Sequence, residues 1–161
     1  MTIIHDSFTI ERRLRACPAH VWAAWSESDL KRQWFVDSDG EGWQTLDYDL
    51  DFRVGGTETG RFVLASGPGA GEHANATYFL DIVPGERIAY AYSMTMNGRI
   101  HSASLATVTF AEAGGGTLLT YTEQGAWFAP GDGVEGRREG WETLLAALER
   151  VLDATARRAA E

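Results

Sequence analysis

One cysteine, Cys17, stands in 161 residues, so no disulfide can close within the chain and the sequence fits a reducing compartment. Basic residues are also scarce: 14 Lys and Arg face 23 Asp and Glu, a formal net charge of -9. Nucleic acids and anionic membranes are held mainly by cations that displace counterions, so neither is an expected partner. No apolar run approaches the roughly eighteen residues needed to span a bilayer, and Met1 to Ile10 lacks a basic start followed by an apolar stretch. The expected location is therefore cytoplasmic, with no membrane insertion. His5, His20, His73 and His101 lack close pairing with each other or with Cys17, and no G-x-S-x-G elbow occurs. No metal, cofactor or nucleophile-base pair is expected from these patterns.

What is present suits one globular core. Hydrophobic residues make up 44% and charged residues 23%, and a chain this long buries roughly two thirds of its unfolded surface. A single domain over residues 1–161 is expected. Phe8, Ile10, Arg12 and Leu14 alternate with polar residues as a half-buried strand does. Pro18 suits a helix start, with Val21, Trp22 and Trp25 at helical spacing, and a second short helix is expected from Asp29 to Trp34. Alternation returns from Leu46 to Val54 and in Gly60 to Ala65, Thr77 to Val83, Ile88 to Met96, Ser102 to Phe110 and Thr117 to Glu123. The turns between them are too short for crossover helices, so the sheet should be antiparallel. Ala126 to Gly136 reads as a loop, and Trp141, Leu144, Leu145, Leu148, Val151 and Leu152 then mark one long amphipathic helix.

Three apparent motifs dissolve on inspection. Gly55-Gly56 joins two strand patterns, with no helix or lysine after it, so it turns the chain and does not cradle a phosphate. Asp47, Asp49 and Asp51, with Glu58 eleven residues after Asp47, mimic a calcium loop, but Phe52 occupies the position that needs glycine. Cys17, at a strand end before Pro18, is expected to be a small buried residue without reactivity.

Read in order, "RRLRACPAHVWAAWSESDLKRQWF", "DLDFRVGGTETGRF", "IVPGERIAYAYS", "VTFAEAGGGTLLTYTEQG" and "GWETLLAALERVL" resemble the bacterial proteins related to the C-terminal domain of the Hsp90 ATPase activator. These AHSA1-like proteins belong to the START-like, or SRPBCC, superfamily. The resemblance runs from about Phe8 to Asp153. It implies an α+β helix-grip fold, in which a curved antiparallel sheet clasps a long C-terminal helix and two small helices close one end. It also implies a cavity between sheet and helix.

If each strand's apolar parity faces that helix, Leu46, Tyr48, Leu50 and Phe52 point inward, as do Tyr78, Leu80 and Ile82 and then Tyr90, Tyr92 and Met94. Tyr121 and Glu123 share the inward parity of Leu119, and an interior acid needs a partner or a ligand. Trp141 and Leu145 would line the cavity from the helix, while Trp34, Phe35, Trp127 and Phe128, in or beside predicted loops, would form its entrance. His101 is opposite in parity to Val108 and should point outward unless a bulge intervenes. The first reading is noncatalytic binding of a hydrophobic or amphipathic small molecule, lipid-like or polyketide-like. The resemblance implies an alternative, stimulation of an Hsp90-type chaperone ATPase. A further alternative is a cyclase or dehydratase, for which Glu123 is the one weak catalytic candidate. A homodimer is compatible with the sequence, which shows no exposed stripe to mediate it.

Overall fold

The computed structural model describes residues 2–37 and 42–160. The chain runs β1 (Ile3–Leu14), α1 (Pro18–Ser26), α2 (Ser28–Phe35), β2 (Trp43–Leu50), β3 (Thr57–Leu64), β4 (Gly71–Val83) and β5 (Arg87–Met96). It continues with β6 (Arg99–Ala113), β7 (Gly116–Phe128) and α3 (Gly133–Ala160). The strands form one seven-stranded sheet in the order β1-β7-β6-β5-β4-β3-β2, antiparallel throughout. This is the expected α+β helix-grip architecture, a curved sheet with two short helices and one long one. Among the described residues, no helix is long and apolar enough to cross a membrane.

Local chemistry sets the element boundaries. Pro18 opens α1 at the position where its missing N–H is harmless, and the carbonyl of Cys17 accepts from the amides of His20 and Val21 at 3.0 and 3.1 Å. Cys17 is exposed, not buried as expected, because it is the capping residue on the outer end of that helix. Glu27 is extended (φ -96°, ψ 126°), which ends α1 and starts α2 in another direction. At the turn between β2 and β3, Gly55 takes φ +81°, and a Cβ on Gly56 would collide with the carbonyl oxygen of Asp51. The double glycine is a chain reversal, as its sequence setting predicts.

Three bulges decide which side chains reach the interior, because a one-residue slip sends a strand's residues to the other face. The slip between Thr45 and Asp47 leaves Leu46 outside, 43% exposed. In β4 the inward set is Asn75, Thr77 and Phe79, and a slip between Phe79 and Asp81 follows. Tyr78 and Leu80 are consequently 57% and 54% exposed on the outer face, contrary to the expectation from their apolar alternation. The slip between Met94 and Thr95 of β5 faces His101 of β6, which turns inward and is buried.

The helix α3 rests on the β1 and β7 side of the sheet and against α1 and α2. Arg137, Trp141, Leu145, Leu148 and Leu152 form its buried stripe. Trp141 stacks on Tyr121 with ring centres 4.1 Å apart and lies parallel to Trp25 at 6.1 Å. Trp25 also packs against Trp34 at 4.8 Å and Phe110 at 6.0 Å. Rings of this size each contribute about 2–3 kcal/mol by leaving water, so the two small helices are held to α3 and, through Phe110, to β6. Beyond β7 the helix reaches β5 through the side chains of Arg137 and Trp141, both on Tyr92.

Candidate functional site

Along β7, Leu119, Tyr121 and Glu123 face the interior, and Glu123 is 0% exposed. Burying a lone carboxylate costs on the order of several kcal/mol, so it requires partners. Its Oε1 accepts from the hydroxyls of Tyr92 at 2.5 Å and Tyr121 at 2.7 Å. Its Oε2 accepts from Ser104 Oγ at 2.7 Å and Arg137 Nη1 at 2.8 Å. These four bonds fill the lone-pair directions of a carboxylate.

Arg137 enters this network from the first turns of α3. Its Nη1 also donates to the Tyr92 hydroxyl at 2.9 Å, and Nη2 donates to Ser102 Oγ at 2.6 Å and Asp132 Oδ1 at 3.2 Å. Nε donates to Asp132 Oδ2 at 2.8 Å, so every N–H of the guanidinium is engaged. Burial would lower the pKa of Arg137, but Tyr92, Glu123 and Asp132 outweigh it and push it up. Burial raises the Asp132 carboxyl, yet His101 and Arg137 together hold it below its ordinary value. His101 Nδ1 lies 3.3 Å from Asp132 Oδ1, an electrostatic contact without hydrogen-bond alignment. Burial is the leading cause that pushes the hydroxyls of Tyr90, Tyr92 and Tyr121 upward, so they remain neutral donors at ordinary pH.

A second buried pair lies on the far side. Lys31 Nζ is 2.9 Å from Glu58 Oε2, and the Tyr48 hydroxyl donates to the same oxygen at 2.5 Å. The ammonium also sits 4.7 Å from the ring centre of Phe35 and 5.0 Å from that of Trp25, so aromatic faces replace its water. Burial, then the adjacent Glu58 carboxylate, pushes the Tyr48 hydroxyl up.

Between these pairs, over β2 to β5, lies a cavity of about 750 Å³. Phe35, Trp43, Phe62, Met94, Trp141 and Leu144 give it apolar walls, and Glu58, Asn75, Thr77, Asp132 and Arg137 contribute polar atoms. Gly136 and Gly140 present bare backbone along the α3 wall. Among the described residues no group of three or more His, Cys, Asp or Glu is placed to hold a metal ion.

Of the residues singled out by sequence, Phe35, Tyr90, Tyr92, Met94 and Trp141 meet in this lining. Trp34, Tyr121 and Leu145 are 0% exposed and Trp127 is 3% exposed, all in packed core outside the lining. Trp34 and Trp127 are not in entrance loops: the first is on α2 and the second on β7, which runs to Phe128 where a loop was expected. Tyr48 stands behind the wall as the partner of Glu58, Glu123 lies beneath it, and Tyr78 is on the opposite face of the sheet. The reading missed Arg137, Glu58, Asn75 and Lys31. For Arg137 the signal was available, because it precedes Trp141 and Leu145 by four and eight residues on the apolar stripe of α3.

The family described as Activator of Hsp90 ATPase homolog 1-like protein matches residues 15–153. A solved structure of a protein from Rhizobium leguminosarum is 42% identical, with 95% of this chain and 97% of that one covered at a TM-score of 0.85. A protein from Rhizobium loti is 41% identical over 94% and 99% of the two chains, with a TM-score of 0.80. A third, from Chromobacterium violaceum, is 28% identical over 91% and 96%, with a TM-score of 0.73. Among curated proteins none matches the chain.

Proposed function

We propose a function from one premise: the chain belongs to the family of Activator of Hsp90 ATPase homolog 1-like proteins. We infer that this member binds a hydrophobic or amphipathic small molecule between sheet and α3 without transforming it. The observation that carries the reading is the cavity of about 750 Å³, apolar in its walls with a few buried polar atoms. That size and lining suit a small-molecule site. The cyclase or dehydratase alternative loses support from the Glu123 geometry, because a base needs a free lone pair within reach of its proton and all four here are occupied.

Gly140 provides the test. Among the described residues no atom outside its own stretch of helix lies within 4 Å of where its Cβ would be, so Gly140→Phe projects a ring toward the cavity and also removes a helix-destabilising glycine. Binding is read with the neutral fluorophore N-phenyl-1-naphthylamine and with a panel of lipids and aromatics. The expected result is saturable micromolar binding by the native protein and a loss of at least about tenfold in the variant, with unfolding no easier than before. Equal binding by both proteins, or none by the native one, overturns the reading. The family description favours a second reading, stimulation of an Hsp90-type ATPase. It predicts a faster turnover when the purified protein is added to such an ATPase, which the first reading does not require.

A further inference from the structure

The polar atoms of the cavity are unevenly matched between donors and acceptors, and this bears on the head group of whatever enters. The charged donor, Arg137, has all its N–H groups committed to Glu123, Tyr92, Ser102 and Asp132. Both amide hydrogens of Asn75 are spent as well, on Thr77 Oγ1 at 3.2 Å and on the Glu58 carbonyl at 3.4 Å. The Tyr92 hydroxyl donates to Glu123, the Tyr90 hydroxyl to Tyr121 at 3.5 Å and the Trp141 indole N–H to Tyr92, so these three donors are committed.

Two buried acceptors, in contrast, are short of donors. Asn75 is 7% exposed and lines the cavity, and its side-chain oxygen has no hydrogen-bond partner. The amide orientation follows from its neighbours: the Glu58 carbonyl can only accept, so it selects the nitrogen and leaves the oxygen unmatched. Gly60 lets the Phe62 ring pack close to this oxygen, since a Cβ there would lie 2.7 Å from the ring and 2.9 Å from the oxygen. Next to it, Glu58 Oε1 has one bond, to Lys31 at 3.2 Å, whereas Oε2 holds both the shorter Lys31 contact and the Tyr48 hydroxyl. A buried acceptor without a donor is desolvated with nothing in return, a loss that a ligand that donates would recover.

Resting on the cavity-binding reading, we infer that the cavity selects amphiphiles whose polar end donates hydrogen bonds, as an amide, hydroxyl or amine does, and rejects those ending in a carboxylate. A fatty-acid anion would meet Glu58 and Asp132 in the wall, with no uncommitted Lys or Arg among the described lining residues to receive it. An amide or hydroxyl head would reach Asn75 and Glu58 and leave the tail against Phe62, Met94 and Trp141.

The test holds the tail constant and varies the head: decanamide, 1-decanol, methyl decanoate and decanoate, each displacing N-phenyl-1-naphthylamine from the native protein and from Asn75→Leu and Asn75→Asp. Decanamide against methyl decanoate compares a donor with an acceptor-only head of no charge, which removes the influence of the net charge of -9. The expected order places decanamide and 1-decanol about tenfold or more ahead of methyl decanoate and decanoate. Asn75→Leu should shrink the amide-over-ester ratio several-fold while methyl decanoate holds its affinity, and Asn75→Asp, which keeps the acceptor, should retain the ratio. Decanoate binding as tightly as decanamide, or an amide-over-ester ratio unchanged in Asn75→Leu, overturns the head-group inference and leaves the cavity reading standing. Failure of the fluorophore and of every head to bind the native protein sinks the cavity reading itself.

Discussion

Replacing Arg137 with Met should be the most costly single change in the interior network. The substitution keeps most of the side chain's length but removes all of its donors, and Glu123, 0% exposed, is left without its counter-charge. Breaking one half of a buried pair costs about 3–5 kcal/mol because the remaining charge stays desolvated. For a domain of this length each kcal/mol moves the midpoint by about 2–4 °C, so Tm should fall by about 6–20 °C. The second arm of the experiment isolates the cause. Glu123→Gln alone should cost less, about 1–2 kcal/mol, because Asp132 still faces the guanidinium at 2.8 Å. Added to Arg137→Met, the same Glu123→Gln should restore at least about 1 kcal/mol, since it deletes the stranded charge. Urea unfolding followed by far-ultraviolet circular dichroism gives all three values. The reasoning fails if Arg137→Met costs under about 1 kcal/mol, or if Glu123→Gln destabilises the Arg137→Met protein further.

Three other outcomes follow from the same geometry. Asp132 has a depressed carboxyl pKa, so its stabilising effect is fully present above the ordinary value of 3.8 and is lost as pH falls through its lower folded value. The stability gap between native protein and Asp132→Asn should thus be flat near neutrality and close on acidification in pH-dependent urea titrations; a gap that widens would refute the assignment. Gly56→Ala should destabilise by more than about 2 kcal/mol through its clash with the Asp51 backbone, whereas Gly55→Asn, at φ +81°, should cost about 1 kcal/mol or less in thermal melts. Cys17, exposed at the start of α1, should react with iodoacetamide in the folded protein as fast as in urea; strong protection would contradict its placement.

The sequence disclosed the order of elements and much of the interior, but the readability was uneven. In β5 and β7 the apolar alternation and the true inward face coincide, so Tyr90, Tyr92, Tyr121 and Glu123 were assigned to the right side. In β4 they do not coincide. There the inward positions beside the cavity are Asn75 and Thr77, and the large apolar residues Tyr78 and Leu80 face out, so hydrophobicity pointed to the wrong parity. Bulges compound this, because the extra residue at Leu46, at Leu80 or at His101 depends on the strand opposite and has no local signature. Apart from Glu123, buried charge is the other blind spot: Lys31 reads as an ordinary surface residue of a short helix until Glu58, 27 positions later, is folded onto it.

Of the two edge strands, β1 and β2, the second carries a further consequence. A free sheet margin offers unpaired amides and carbonyls on which a foreign strand can grow, the first step toward aggregates. Here that margin is irregular at Leu46 and bears the exposed acids Asp47 and Asp49. An approaching copy, itself strongly anionic, would meet both a broken ladder and like charge. The same irregularity that misleads a reader of the pattern therefore discourages stacking at this edge of the sheet.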